Sequence, residues 1–193
     1  VYKRQVIGVA VSGGSDSVAL LLALQEVWPV SKMRAVTVDH GLRAEAVYEA
    51  NWVGNLCASV EVPHTTIRLK NLKPGSNLQA RARTARYKAL ADWGHSCDLL
   101  CLGHSKTDVA ETFLIRLARG SGVEGLAAMR ARWRRCDINW GRPLLGFSRD
   151  DLREYLRERG QSWCEDPSNL DLAYKRVQMR QMQKVFDGLG LDT

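Results

Sequence analysis

The chain has 193 residues, 45% hydrophobic and 25% charged, with a formal net charge of +7, which matches one soluble domain able to bury a core. Its longest apolar run, residues 18–24, is far shorter than the roughly 20 residues needed to cross a bilayer, which excludes a transmembrane helix. Its five cysteines contain no C-x-x-C pair, which argues against a disulfide framework or zinc ribbon and favours the cytoplasm.

Short apolar runs alternate with amphipathic segments over the first 119 residues. The pattern predicts strands at residues 6–11, 33–38, 64–69 and 98–102, all central in a sheet, and helices at 17–27, 45–60, 76–93 and 106–119. Ser76 with Gln79 predicts a capping box at the third helix, and Ser148 with Asp151 predicts another later. This alternation indicates an α/β fold, a Rossmann-like parallel sheet with helices on both faces.

The rest of the chain predicts a strand pair containing Trp133 and Trp140, a helix over 148–159 and a helix near 173–186. For both tryptophans, core packing is favoured over base stacking. We therefore expect residues 1–193 to form a single domain, with a nucleotide-binding βαβ core at 1–130 and a smaller, mostly helical extension at 131–193.

A glycine-rich loop, S-G-G-S-D-S, connects the first predicted strand to the first helix. Exposed amides and the positive end of the helix dipole at such a place bind phosphate, although a Ser or Asp there can also simply cap the helix. The loop has no lysine, which disfavours Walker-type kinase or GTPase chemistry, and the G-x-G-x-x-G at 120–125 follows a helix rather than a strand. The candidate nucleotide ligands are Ser12, Gly13, Gly14, Ser15, Asp16 and Ser17, with Asp16 also a candidate for Mg²⁺ and for catalysis.

Two carboxylates follow the fourth predicted strand. Asp108 and Glu111 lie three residues apart, so they share one face near the first turns of a helix, at the same sheet edge as the glycine loop. They could bind a cation, or they could only complement the helix dipole. Nearby His104 is interpreted as a hydrogen-bonded structural residue rather than a base.

Basic residues cluster in two segments. Between residues 68 and 88 there are seven Lys or Arg side chains and no acid, and Arg83 and Arg86 share a helical face. Lys175, Arg176 and Arg180 form a second basic face. Charge alone fits either a polyanionic partner or a solvated helix surface.

Several of these motifs resemble known enzymes. The S-G-G-S-D-S loop resembles the PP-loop of the N-type ATP pyrophosphatases, and residues 103–112 and 116–126 resemble the tRNA(Ile)-lysidine synthase family. Residues 38–43, 142–145 and 165–169 match in the same order, so the resemblance covers about residues 6–180. Two positions depart from the family pattern: Thr107 stands where an Asp is usual, and Val177 where an Asn is usual.

The resemblance implies an adenine nucleotide α-hydrolase-like fold and a cytoplasmic ligase. Such an enzyme attaches free L-lysine to C2 of cytidine 34 in the CAU anticodon of tRNA(Ile), through an adenylated cytidine, converting ATP to AMP and pyrophosphate. The family's additional C-terminal tRNA-binding domains are expected to be absent, and the oligomeric state is open, a homodimer included. The implied assignments are ATP to the loop, His40 and Arg83; lysine to Asp108 and Glu111, both also catalytic; Mg²⁺ to Asp16; and tRNA to Arg86, Lys175, Arg176 and Arg180.

Two alternatives stay open on the sequence. A PP-loop tRNA thiolase would transfer sulfur to an adenylated base, but such enzymes generally use cysteine pairs. A non-catalytic ATP- or tRNA-binding fragment is suggested by Thr107 and Val177, whereas Asp16, Asp108 and Glu111 argue against it.

Overall fold

The computed structural model describes residues 5–41, 45–69, 75–127 and 129–165, and six strands within them form one sheet. The strands are β1 (Ile7–Ala10), β2 (Met33–Asp39), β3 (His64–Arg68), β4 (Leu99–Leu102), β5 (Arg132–Arg135) and β6 (Ile138–Gly141). Their order is β3-β2-β1-β4-β6-β5, and neighbouring strands run parallel except for the β5–β6 hairpin.

Helices connect the strands as the alternating pattern predicts. They are α1 (Ser15–Val27), α2 (Glu45–Ser59), α3 (Leu78–Gly94), α4 (Lys106–Leu117), α5 (Val123–Leu126) and α6 (Arg149–Glu158). The parallel βαβ connections confirm the Rossmann-like α/β prediction.

Apolar side chains form a core on each face of the sheet. Successive strand residues point to opposite faces, so Val9 packs in one core with residues of α1, α2 and α6, while Ala10 packs in the other with residues of α3. Trp140 is buried in the second core, and Trp133 stacks on it with ring centroids 5.6 Å apart. The expectation that both tryptophans pack in the core agrees with this arrangement.

The strand order reverses direction beside β1. From β1 the chain passes through α1 to β2 on one side, and β4 lies on the other side. In open parallel sheets, the crevice at such a switch point, beyond the carboxyl ends of the strands, is where ligands bind. The glycine loop after β1 and the segment before α4 both lie at this point.

Two local predictions are corrected. Strand β3 is the edge strand of the described sheet rather than a central one, and its Thr65 and Thr66 are exposed, because an edge strand tolerates polar residues on both sides. Helix α3 begins after Asn77 rather than at Ser76, since Asn77 adopts a left-handed backbone (φ 57°) that delays the helix. The capping box of Ser148 with Asp151 is confirmed, whereas the helix predicted near 173–186 lies outside the described residues.

Candidate active site

A cavity of about 1220 Å³ opens at the carboxyl edge of the sheet. Its walls come from the glycine loop, the end of β2, helix α3, the β4–α4 connection and the start of α6. The predicted site residues that line it are Ser12, Gly14, Ser15, Asp16, Ser17, His40, Arg83, Arg86 and Asp108. One cavity therefore brings together most of the candidates that the sequence scattered over about a hundred residues.

The glycine loop is held in shape by its own serines. The Ser17 hydroxyl donates to the Gly14 carbonyl (2.9 Å) and accepts from the Ser12 amide (3.1 Å). Gly13 has φ +93°, a conformation that suits glycine, and its carbonyl accepts from the Cys164 amide (2.9 Å). Helix α1 begins at Ser15 with no side-chain cap within the described residues, so its N-terminus remains suited to an anion.

Gly103 allows β4 to approach the start of α1 closely. A Cβ built on Gly103 would lie 2.8 Å from the Asp16 carbonyl oxygen and 2.9 Å from the Ser17 Cα. These are backbone atoms, which cannot move aside as a flexible side chain can. The absence of a side chain at Gly103 therefore lets the segment before α4, which leads to Asp108, pack directly against the glycine loop.

Arg149 lies at the centre of the predicted acidic residues. Its Nε is 3.1 Å from Asp16 Oδ2, its Nη2 is 3.5 Å from Asp108 Oδ1 and its Nη1 is 3.4 Å from Glu111 Oε1. The Arg149 side chain is 17% exposed and that of Glu111 only 1%. We call these four residues the carboxylate cluster.

The electrostatics of the carboxylate cluster favour a cation. Burial by itself lowers the pKa of Arg149, but the carboxylates of Asp16, Asp108 and Glu111 outweigh burial and raise that pKa above its ordinary value. Arg149 is therefore a permanent cation. One guanidinium therefore faces three carboxylates, and of these acids Asp16 and Asp108 also line the cavity, where they can meet a cationic group.

Helix α4 buries acids where a helix normally buries apolar side chains. The only buried residues in this helix, which the structure describes in full, are Asp108 and Glu111. Asp108 both caps the helix and contacts Arg149: its Oδ2 accepts from the Ser105 amide (3.0 Å) in a capping box, and its Oδ1 faces Arg149. The helix-capping and ligand-binding interpretations of Asp108 are thus compatible. Glu111 contacts Arg149 but does not line the cavity.

Sequence reasoning missed Arg149. Its amide donates to the Thr107 hydroxyl (3.0 Å), so Thr107, at the position where the family usually has Asp, anchors the segment that carries Arg149. Arg149 is also the first residue of α6, where the helix dipole disfavours a cation. That local mismatch was the available signal that Arg149 has carboxylate partners elsewhere in the fold.

The two histidines at the site have different surroundings. His40 lines the cavity, and burial together with the nearby Arg86 cation lowers its pKa, while Asp39 acts in the opposite direction. His104 Nδ1 accepts a hydrogen bond from Arg142 Nε (3.2 Å). This bond leaves Nε2 of neutral His104 as the N–H, in agreement with a hydrogen-bonded structural residue.

The donor set at Asp16 fits Mg²⁺ only together with a nucleotide. Among the described residues, no group of three or more His, Cys, Asp or Glu could hold a metal ion. Asp16 already accepts from Ser15 (2.9 Å), Ser105 (3.3 Å) and Arg149. Since Mg²⁺ commonly binds one or two carboxylates plus substrate phosphates, Asp16 could supply one ligand and a triphosphate the others.

The cysteines are free thiols, and burial raises the pKa of Cys57 and of Cys101 to about 12, as expected for structural residues. The predicted tRNA contacts Lys175, Arg176 and Arg180 lie outside the described residues. Within the described ranges, no helix is long and apolar enough to span a membrane.

A glycine-rich loop at the switch point of a parallel sheet, next to buried carboxylates at one cavity, is the arrangement expected of a nucleotide-binding α/β protein. The chain belongs to the PP-loop domain family, whose model matches residues 2–186. It is 44% identical over 190 residues to tRNA(Ile)-lysidine synthase of Ruegeria pomeroyi, covering 96% of this chain and 45% of that protein. Against the enzyme of the same name from Hyphomonas neptunium, identity is 45% over 186 residues, covering 91% and 50%.

These similarities confirm the resemblance to tRNA(Ile)-lysidine synthases, and the chain spans about half the length of the curated relatives it matches. Solved structures support the fold. The U34-tRNA thiolase NcsA from Methanococcus maripaludis, with its [4Fe-4S] cluster, superposes with a TM-score of 0.78 at 18% identity, covering 96% of this chain and 67% of that one. The NH3-dependent NAD synthetase from Campylobacter jejuni superposes with a TM-score of 0.57 at 13% identity, covering 98% of this chain and 76% of that one.

Proposed function

We propose that this chain carries the catalytic site of a tRNA(Ile)-lysidine synthase, which ligates L-lysine to C2 of cytidine 34 at the expense of ATP, in the cytoplasm. The observation that carries the proposal is the carboxylate cluster. It joins Asp16 of the glycine loop to Asp108 and Glu111 through Arg149, at the wall of a single cavity. A site for pyrophosphate and a site for a cationic substrate are thereby adjacent.

In the first step, cytosine O2 attacks the α-phosphorus of ATP and pyrophosphate leaves. The amides at the start of α1 would hold the leaving pyrophosphate, and Arg83 and His40 line the same cavity. Mg²⁺ bound through Asp16 and phosphate oxygens would neutralise developing charge. The product is an adenylated cytidine whose C2–O bond now has a good leaving group.

In the second step, the ε-amine of lysine forms a bond to C2, and AMP leaves with the former O2 atom. The attacking amine must be neutral, so one of its protons has to pass to an acceptor. The Asp108 carboxylate lines the cavity and can meet the amine directly. Glu111 does not line the cavity, but it contacts Arg149, which does.

A thiolase is the second candidate, because the structure of NcsA is that of a U34-tRNA thiolase. The cysteines of this chain count against it. Cys164 lines the cavity, but none of the other four cysteines does, so the cavity has no pair of thiols. No metal-binding group of the size required appears among the described residues. We therefore favour an amine over a sulfur nucleophile.

Labelled substrates test the proposal directly. The purified chain is incubated with unmodified tRNA(Ile) bearing a CAU anticodon, ATP and radiolabelled lysine, and the tRNA is counted; we expect label in the tRNA and one AMP per lysine. The Ruegeria pomeroyi relative is the positive control. No label with an active control contradicts catalysis by this chain. A parallel arm with a labelled sulfur donor identifies the thiolase, and ATP binding without pyrophosphate release identifies a binding module.

A further inference from the structure

A second, smaller cavity of about 180 Å³ lies beside the main one, and we call it the arginine pocket. Its lining consists of Arg83, Thr84, Tyr87, Trp133, Arg135 and Arg142. Arg83 and Tyr87 also line the main cavity, so the two spaces are neighbours. None of the lining residues is an acid, whereas the carboxylate cluster surrounds its single arginine with three.

Arg142 is a fixed charge in this pocket. Its guanidinium lies 3.9 Å from the Trp133 ring centroid, its Nε donates to His104 and its Nη1 donates to the Arg130 carbonyl (2.9 Å). Burial lowers the pKa of Arg142, while Tyr87 and the Asp108 carboxylate act in the opposite direction, and Arg142 forms no salt bridge within the part of the chain that the structure describes. Binding of an anion stabilises a partly buried guanidinium that has no salt bridge.

The shape of the pocket favours a phosphate over a base. Arg142 lies over the ring of Trp133, and the same ring stacks on Trp140, so Trp133 is already engaged in stacking contacts. Arginine side chains instead offer forked donors that match phosphate oxygens.

We propose that the arginine pocket binds a phosphodiester of the RNA strand next to the nucleotide that enters the main cavity. The inference rests on the proposed function, since it requires an RNA substrate. The proposed site of the ATP phosphates is the start of α1, and no residue of the glycine loop lines the arginine pocket. A strand could therefore pass from the main cavity over Arg83 and Tyr87 to Arg135 and Arg142.

Strand β5 offers a matched pair of variants. Trp133 and Arg135 share one face of the strand, towards the pocket, while Arg134 lies on the other face and pairs with Asp137 (3.7 Å). Both arginines are exposed, so neither change endangers folding. Arg134→Gln and Arg135→Gln remove the same charge from the same edge strand.

The experiment measures the binding of unmodified tRNA(Ile) by the whole chain at several salt concentrations, together with ATP binding. We expect Arg135→Gln to weaken tRNA binding about fivefold and to lower the salt slope by about 1, with Arg134→Gln near wild type and ATP affinity unchanged. Equal weakening by both variants would overturn the pocket in favour of a general edge charge, and no effect of either would show that this strand does not contact the tRNA. Lost ATP affinity would assign the pocket to ATP. Because this experiment measures binding and not lysine ligation, a failure of the arginine-pocket proposal can be distinguished from a failure of the proposed function.

Discussion

Arg142 and Arg149 are seven residues apart, yet the balance of their electrostatic surroundings differs. Three carboxylates around Arg149 outweigh its burial and raise its pKa, whereas burial lowers the pKa of Arg142 even though the Asp108 carboxylate acts in the opposite direction. Arg142 instead contacts Trp133 and His104. The charge of Arg149 is balanced by carboxylates of the protein, whereas Arg142 forms no salt bridge within the described residues. On our proposals, the first arginine belongs to the site for the amine and the second to the site for an RNA phosphate.

Replacing Arg149 should have the largest effect of the substitutions that test this comparison. Arg149→Ala leaves three carboxylates without their shared cation, and breaking such a buried pair costs about 3–5 kcal/mol. We expect urea unfolding to show a loss of that order and Arg149→Lys to recover part of it. The control is Arg157→Ala on the same helix, where exposed Arg157 pairs with Glu154 and the change should be within about 0.5 kcal/mol. Equal losses would make Arg149 an ordinary surface cation.

The cluster also depends on the close approach of β4 to the glycine loop. In Gly103→Ala the added Cβ meets the backbone of Asp16 and Ser17, so we expect a loss of about 1–3 kcal/mol in unfolding free energy and reduced pyrophosphate release. Gly122→Ala is the control, since a Cβ there meets nothing within 4 Å and Gly122 has φ −64°. If Gly122→Ala reduced pyrophosphate release more than Gly103→Ala did, the G-x-G-x-x-G at 120–125 and not the S-G-G-S-D-S loop would be the candidate phosphate site.

Neutralising the acids one at a time sharpens the cation side of the comparison. Asp108→Asn keeps an oxygen for the capping box but loses the charge, and Glu111→Gln does the same for its contact with Arg149. We expect the KM for lysine to rise about tenfold, while pyrophosphate release from ATP and tRNA changes by less than about twofold. Equal losses in both activities would show that these acids do not select lysine.

The smallest expected effect is a change in the pKa of His40 when a nucleotide binds. Burial and the Arg86 cation lower its pKa, so a triphosphate bound beside it favours the charged imidazole and should raise that pKa. Titration by nuclear magnetic resonance, with and without a non-hydrolysable ATP analogue, measures the change. His64, which contacts Thr37 (2.8 Å) and does not line the cavity, should titrate as before. An unchanged His40 would remove it from the nucleotide site.

Periodicity and turn chemistry were enough to predict much of the fold. The first four strands, four helices and the glycine loop depend on local patterns, and each lies within a few residues of its predicted position. The edge position of β3 was missed because strand order depends on contacts between distant segments. The capping box at Ser76 was predicted wrongly because the left-handed backbone of Asn77, which delays the start of α3, cannot be deduced from the spacing of Ser76 and Gln79.

The site was predictable only in part, for the same reason. Asp16, Asp108 and Glu111 were identified from motifs, but their common partner Arg149 is 133 residues from Asp16 and 38 from Glu111. No spacing rule connects residues so far apart. Likewise, the arginine pocket forms because β5 and α3 lie side by side in the fold. The basic composition of residues 68–88 does not indicate that contact.

The separation of cation and anion recognition is tested most directly by steady-state kinetics of labelled-lysine incorporation with two variants side by side. We expect a crossed result: Asp108→Asn raises the KM for lysine and leaves that for tRNA near wild type, whereas Arg135→Gln raises the KM for tRNA and leaves that for lysine unchanged. If each variant raised both KM values to the same extent, amine and phosphate recognition would not be separate, and the central claim would be contradicted.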